Sequence, residues 1–343
     1  MKHLLNTLFV TSEDIYLSLD GENVVANRDR QEVARYPLHT LAGIVSFSYP
    51  GASPALMGAC AQRDISLAFC TPRGRFLARV AGESSGNVLL RRTQYRVADD
   101  PGPCCRIARN MIFGKCCNAR WSIERTRRDH GLRVEGARLS DASACLKELL
   151  PQIQEETSLD SLRGLEGAAA TIYFRVLDQM VLGEKPLFSF VTRSRRPPQD
   201  PINALLSFAY SLLAHDCASA LESVGLDAYV GFLHRDKPGR TSLAMDLMEE
   251  LRPCMADRFV LTLVNNRVMG RQDFDFRENG AVLLNDSGRR TFLKHWQERK
   301  RDTLTHPYLH EKVPWGLIPY VQALLLARCL RGDLDGYPPF LWK

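Results

Sequence analysis

The stretch RGRFLARVAGESSGNVLLRRTQYRVAD, Arg73–Asp99, changes its hydrophobic period in the middle. Up to Val80 the runs are short and β-rich. From Val88 the apolar residues recur with a helical spacing. Between them lies GESSGN, Gly82–Asn87, which is small, polar and flexible, as a linker should be. Working upstream, TLFVTS (7–12), IYLSLD (15–20), NVVANRD (23–29), EVARYPL (32–38) and AGIVSFS (42–48) read as strands, several with period-two alternation. DGEN at Asp20–Asn23 marks a turn. SPALMGACAQRD (53–64) predicts a helix opening at Ser53-Pro54. ISLAFCT and RGRFLARV predict two more strands around a Pro-Arg-Gly turn. Downstream, VLLRRTQYRVAD, CCRIARNMIFGKCCNARWSIERTRRD, SLDSLRGLEGAAATIYFRVLDQM, DPINALLSFAYSLLAHDCASALESVG and LIPYVQALLLARCLRG predict helices. DFDFRENGAVLLND (273–286) predicts a hairpin with a type I′ turn at Asn279-Gly280. The expected fold is α+β: a small β-rich domain over residues 1–86, then a larger, mainly α-helical domain over 87–343.

Composition narrows the classes. The 343 residues are 45% hydrophobic and 24% charged, ample for a packed core. The net charge of +6 is mildly basic, compatible with nucleic acid without requiring it. No apolar run is read as approaching the length that spans a bilayer, and the N-terminus lacks a signal-peptide pattern. A cytoplasmic protein without a membrane partner is expected. The ten cysteines include the doublets Cys104–Cys105 and Cys116–Cys117 but no C-x-x-C pair. Reduced, mostly buried thiols account for them better than a zinc or redox site. His306 and His310 are four apart, but Pro307 between them argues against a helical zinc pair.

Three stretches carry chemistry. In GFLHRDKPGRTSLAMDLMEELRP, Gly231–Pro253, Leu243, Leu247 and Leu251 form an apolar stripe on a helix that Thr241 or Ser242 can cap. Asp246, Glu249 and Glu250 share a neighbouring face, where like charges repel unless a cation or solvent relieves them. A solvated acidic face is one reading. The other uses His234, brought back over the acids by the Pro-Gly loop, because an imidazole with carboxylates suits Mn²⁺ or Mg²⁺. The second stretch, GLEGAAATIYF (164–174), places Glu166 as the only ionisable group on a helical face. Such a carboxylate is paired, protonated or metal-bound if buried, and unremarkable in role if it reaches solvent from the edge. In the third, RSRRPPQDPINALLSFAYSLL (193–213), Arg193, Arg195 and Arg196 precede a helix opened by Asp200-Pro201. They suit phosphate oxygens, or equally an exposed loop paired to acids. GRRTFLKHWQERKR (288–301) reads either as a backbone track for DNA or as a solvated amphipathic helix.

Together, in this order, the three stretches resemble the CRISPR-associated integrase family of spacer acquisition, over nearly the whole chain. The length and short N-terminal half look closest to its type I-C variety. The resemblance implies a Mg²⁺- or Mn²⁺-dependent DNA endonuclease and integrase, with Glu166, His234 and Glu249 as metal ligands and Asp246 supporting them. The third ligand is Asp in some relatives and Glu here. The resemblance also implies that Arg235, Lys237, Arg240 and Arg252 neutralise DNA phosphates, alongside Arg193, Arg195 and Arg196. It implies a homodimer, formed through the N-terminal domain, that joins a small second Cas protein in a heterohexamer. No P-loop is present, and exchange of one phosphodiester for another needs no energy input. Three other readings compete: a general metal-dependent nuclease of DNA repair, a DNA-binding scaffold with a structural acidic cluster, and a zinc-bound structural protein.

Overall fold

The computed structural model describes residues 6–71, 76–82 and 88–342. The linker expected at Gly82–Asn87, apart from Gly82, and the expected Pro-Arg-Gly turn at 72–74 lie outside the described residues. The chain forms two compact units. The first comprises Met1–Ser85, Gln272–Asp275 and Leu283–Asp302; the second comprises Gly86–Arg271, Phe276–Val282 and Thr303–Lys343.

The first unit begins with β1 (Asn6–Val10), β2 (Tyr16–Asp20), β3 (Asn23–Arg28), β4 (Gln31–Pro37), β5 (Leu41–Ser46), α1 (Pro54–Gln62), β6 (Ser66–Cys70) and β7 (Phe76–Arg79). One sheet has the order β1-β5-β6-β7, parallel except for β7. The other is an antiparallel β2-β3-β4 meander. The β2–β3 turn needs a positive φ, and Gly21 supplies it at +55°. Helix α1 opens as the Ser-Pro pair dictates: Ser53 Oγ accepts the Leu56 N–H at 3.2 Å, and Pro54 starts the helix. Leu17, Val24, Leu38, Ile44, Leu56, Cys60 and Leu67 are fully buried between these elements.

The second unit carries α2 (Val88–Asp99), α3 (Pro101–His130), α4 (Gly136–Glu155), α5 (Leu159–Met180), α6 (Pro201–Ser223), α7 (Ser242–Leu251) and α8 (Arg258–Asn265). Next come the short strands β8 (Phe274–Phe276) and β9 (Val282–Leu284), α9 (Asp286–Arg301), the pair β10 (Thr303–Thr305) and β11 (Lys312–Pro314), and α10 (Ile318–Arg331). Helix α9 groups with the first unit and buries Phe292, Leu293 and Trp296. It is thus amphipathic, with its apolar face packed.

Several local expectations are corrected. The β8–β9 turn is not type I′: only Gly280 has a positive φ, and Gly280 N–H donates to Arg277 O while Arg277 N–H donates to Ala281 O. That is a longer loop closed by one left-handed glycine. Helix α7 ends at Leu251, two residues before Pro253, and the chain goes on in a different helical form. Residues Arg252–Asp257 form a π-helical turn with Pro253 at its start, where its missing N–H costs little. Neither Thr241 nor Ser242 caps α7 with its side chain. Finally, α6 is long and apolar enough by composition to cross a bilayer, which the sequence reading denied of every segment. It is a core helix, 67% buried over its most apolar window. Its start is as expected, with Asp200 Oδ1 accepting the Asn203 N–H at 2.7 Å and Pro201 in the first position.

Candidate active site

The second unit brings Glu166 of α5, His234 of the loop before α7, and Asp246 and Glu249 of α7 together. Asp246 and Glu249, three apart, face one side of α7. Glu250 turns to another side. All three are buried, so the solvated acidic face is ruled out.

Each buried acid has its own partners. Asp246 organises the histidine loop. Its Oδ2 accepts the N–H groups of Phe232 (2.6 Å) and Leu233 (2.9 Å), and its Oδ1 accepts that of His234 (3.0 Å). The same Oδ1 stands 2.5 Å from His234 Nδ1. A carboxylate that accepts three backbone N–H groups is also the acceptor toward Nδ1, which leaves Nε2 as the ring nitrogen free to face the other acids. Nε2 faces Glu249 Oε1 at 4.0 Å. The loop fits this closely because position 231 is glycine: a Cβ there would meet Asp246 Oδ2 at 2.8 Å and Ser242 Cβ at 2.9 Å. From the other side Arg163 of α5 donates Nε and Nη2 to Leu233 O, at 2.9 and 2.7 Å. It thus ties the helix of Glu166 to the loop of His234.

Glu249 is surrounded by cations. Arg252 Nη1 lies 3.1 Å from its Oε1, and Lys115 Nζ of α3 lies 2.6 Å from its Oε2. Lys115 also pairs with Glu166 Oε1. Burial alone would raise the Glu249 pKa, but Arg252 and Lys115 outweigh it and hold the carboxyl down at about 2. Oε2 nevertheless has no hydrogen-bond donor in line, and its contact with Lys115 is ionic. Behind Arg252 the ring of Tyr210 lies between two guanidiniums, 5.0 Å from Arg252 and 5.3 Å from Arg193. Tyr210 OH donates to Asp257 Oδ1 at 2.6 Å. Asp257 ends the π-helical turn, whose extra residue per turn rotates the faces of α8 relative to those of α7. Burial pushes the Asp257 carboxyl up to about 6, against the pull of Tyr210 and Arg252.

Glu250 serves the C-terminal segment instead. It accepts from Tyr337 OH, from Gln322 Nε2 at 2.9 Å and from Phe340 N–H at 3.0 Å. Burial raises its carboxyl to about 7. Asn118 of α3 closes the knot, donating to Glu250 O (2.7 Å) and Phe340 O (2.8 Å) and accepting from Trp342 N–H (2.8 Å).

The arginines expected to meet phosphates divide into two sets. Arg195, Arg196, Arg235 and Lys237 lie at or near the surface, and Arg240 is half-buried beside Ser242. Arg235 pairs with Asp160 at 3.0 Å. Arg193 is engaged internally with Asn203 Oδ1 (2.6 Å) and Ser207 Oγ (3.0 Å), and Arg252 with Glu249. Three residues escaped the sequence reading: Lys115, Arg163 and Tyr210. Lys115 carried the same signal as Glu166, an ionisable group among buried positions such as Met111, Ile112 and Asn118 of one helix. The ten cysteines form no disulfide, and Cys104, Cys105 and Cys116 direct their thiols at the backbone carbonyls of Phe232, Glu156 and Leu146.

As the side chains stand, no group of three or more His, Cys, Asp or Glu among the described residues is close enough to hold a metal. The ammonium of Lys115 fills the space between Glu166 and Glu249. The donors themselves suit a hard divalent ion: two carboxylates, an imidazole Nε2 with its Nδ1 fixed by a carboxylate, and a buried oxygen without an aligned donor.

Comparison with known proteins gives the family. Residues 8–298 match the family described as CRISPR associated protein Cas1. A relative from Rhodospirillum rubrum, CRISPR-associated endonuclease Cas1 2, is 50% identical over 347 residues, covering all of both chains. One from Chlorobaculum tepidum, CRISPR-associated endonuclease Cas1 1, is 47% identical over 343 residues, again covering both completely. Among solved structures, a casposase bound to its integration product superposes with a TM-score of 0.84 at 22% identity, over 99% of this chain and 95% of that one. A Cas1 protein from Thermotoga maritima gives 0.81 at 21%, over 96% and 97%. The α+β organisation, the order of the three stretches and these matches converge: this chain belongs to the Cas1 family of CRISPR-associated proteins.

Proposed function

We propose that this chain is a metal-dependent DNA endonuclease and integrase that inserts short DNA fragments into a CRISPR array. The observation that carries the reading is the grouping of Glu166 and Glu249 about Lys115, with His234 Nε2 4.0 Å from Glu249 and its ring held by Asp246. Glu166, Glu249 and His234 Nε2 would hold Mg²⁺ or Mn²⁺. When bound, the ion supplies Lewis-acid stabilisation of the attacked phosphate and the departing oxygen. The chain's own residues do the rest. Asp246 keeps the Nδ1 proton, so that Nε2 stays a lone-pair donor. Arg252 keeps Glu249 ionised. Arg195, Arg196, Lys237 and Arg240 orient the DNA backbone. The nucleophile is the 3′-hydroxyl of a captured fragment attacking a repeat phosphodiester, and water in its place gives cleavage. The working form is a cytoplasmic homodimer joined to Cas2 in a heterohexamer. A solved complex described as Cas6-RT-Cas1–Cas2 shares the fold, with a TM-score of 0.80 at 22% identity, and its chain is longer, of which this one matches 36%.

The test is strand transfer. Labelled duplex fragments are mixed with a supercoiled plasmid carrying a CRISPR repeat, with and without Cas2, in Mn²⁺, Mg²⁺ or EDTA. Metal-dependent label at the repeat, absent with Glu166→Ala, is the expected result. Nicking without joining would point to a general nuclease. Bound DNA with no reaction, partner present, would leave a scaffold.

A further inference from the structure

Among the described residues, Lys115 bridges two different carboxylates of the site, and the proposed chemistry gives it no role. Its placement is built into the fold. Gly114, Asn118 and Ser122 lie along one face of α3 at intervals of four, and Lys115 lies three before Asn118 beside it. That face meets α7 and the π-helical turn. Asn118 donates to Glu250 O, and Ser122 Oγ lies 3.4 Å from Pro253 O. A Cβ on Gly114 would stand 3.1 Å from Glu250 Cβ and 3.1 Å from Pro339 Cβ, so glycine lets the two helices approach. At this separation the lysine stem spans to both α5 and α7. Its ammonium reaches Glu166 Oε1 and, at 2.6 Å, Glu249 Oε2.

Three acidic side chains (Glu166, Asp246, Glu249) face two basic ones (Lys115, Arg252). Asp246 is satisfied by three backbone N–H groups and the imidazole, and Arg252 by Glu249 Oε1. The screening of Glu166 from Glu249 therefore falls to Lys115. Both carboxylates it touches are among those that would hold a divalent ion. An ammonium and a dication placed together between the two carboxylates would repel strongly in a partly buried site. The side chains are graded in exposure, 3% for Glu249, 12% for Lys115 and 27% for Glu166, so the way out for the ammonium is past Glu166.

We propose that Lys115 is the internal counter-cation of the site: it holds Glu166 and Glu249 together until a divalent ion displaces it, and so sets the ion concentration at which the site loads. This rests on Glu166, Glu249 and His234 being the ligands of a divalent ion. Lys115 is a positioning residue in this scheme, acting through the two carboxylates.

The experiment is Mn²⁺ titration of the full-length protein, monitored by the electron paramagnetic resonance of free Mn²⁺, with thermal unfolding in EDTA and in Mn²⁺. The variants are Lys115→Met, Lys115→Gln, the charge-keeping Lys115→Arg, and Glu166→Ala. The neutral variants are expected to bind Mn²⁺ about tenfold more tightly than wild type, since the competing ion pair is gone. They are also expected to melt earlier in EDTA and to recover in Mn²⁺, while Lys115→Arg gains no affinity. If wild type binds Mn²⁺ through Glu166 but the neutral variants bind no more tightly, the counter-cation role is overturned and the metal site stands. If wild type binds no Mn²⁺, or Glu166→Ala changes nothing, both fall. A neutral variant that stays unfolded even at saturating Mn²⁺ makes Lys115 a structural strut and also overturns the proposal.

Discussion

At the scale of single residues, the site is a set of carboxylates with separate tasks. Removing the imidazole tests the ligand assignment most directly. His234→Ala leaves Asp246 with its three backbone donors, so the fold should persist. Strand joining should fall by more than about 100-fold, the upper end for changing the outer partners of a metal ligand. Joining at the wild-type rate, with circular dichroism unchanged, would remove His234 from the site. Asp257 offers a test by pH. Its native pKa of about 6 exceeds the ordinary 3.8, so the folded protein holds a proton that the unfolded chain has already released. This group's contribution is therefore full below pH 3.8 and is lost as pH rises through about 6, by at most about 3 kcal/mol. Urea unfolding of wild type and Asp257→Asn at pH values of about 4, 5, 6 and 7 should show the variant gaining relative stability across that window. Parallel curves would show that Asp257 titrates normally.

At the scale of elements, α7 is held from two sides. Its front presents Asp246 and Glu249, and its back grips the C-terminal segment through Glu250, with Gln322 of α10 and Asn118 of α3. Asn118→Ala should cost about 2–4 kcal/mol, because it strands the Glu250 and Phe340 carbonyls and the Trp342 N–H in a dry interior. The check is chemical denaturation together with hydrogen exchange, in which α7 and residues 337–342 should lose protection together. Loss confined to the terminal residues would uncouple them. This coupling was not legible beforehand. The acids at 246, 249 and 250 were visible as a cluster, but which of them faces the site depends on what packs against each side of α7. Likewise nothing local in the sequence marks the π-helical turn that follows α7, whose residues Pro253–Asp257 are buried.

At the scale of the whole molecule, the proposed nucleic-acid face depends on which basic residues remain outside after packing. Arg240→Glu should weaken DNA binding and reduce the magnitude of its salt dependence by about two phosphate contacts' worth, one lost and one repelled. Binding measured between about 50 and 200 mM salt checks this, and an unchanged slope would take Arg240 off the phosphate track. Arg195 and Arg196 lie at or near the surface, open to the proposed phosphate contacts, whereas Arg193 and Arg252 are committed to internal partners.

The sequence by itself determined the α+β order, since a period of two gives way to a helical period across residues 82–87, and local periodicity is decided by neighbours along the chain. It determined the openings of α1 and α6, because a Ser-Pro or Asp-Pro pair carries its cap within four residues. It also singled out Glu166, His234, Asp246 and Glu249, through motifs that resemble those of the Cas1 family. Only the tertiary structure decided that α9 groups with the first unit, that Glu250 faces away from Glu249, and that Lys115 stands between Glu166 and Glu249. Those outcomes join residues far apart in the chain, and a buried charge takes its meaning from partners that only the folded chain brings within about 3 Å.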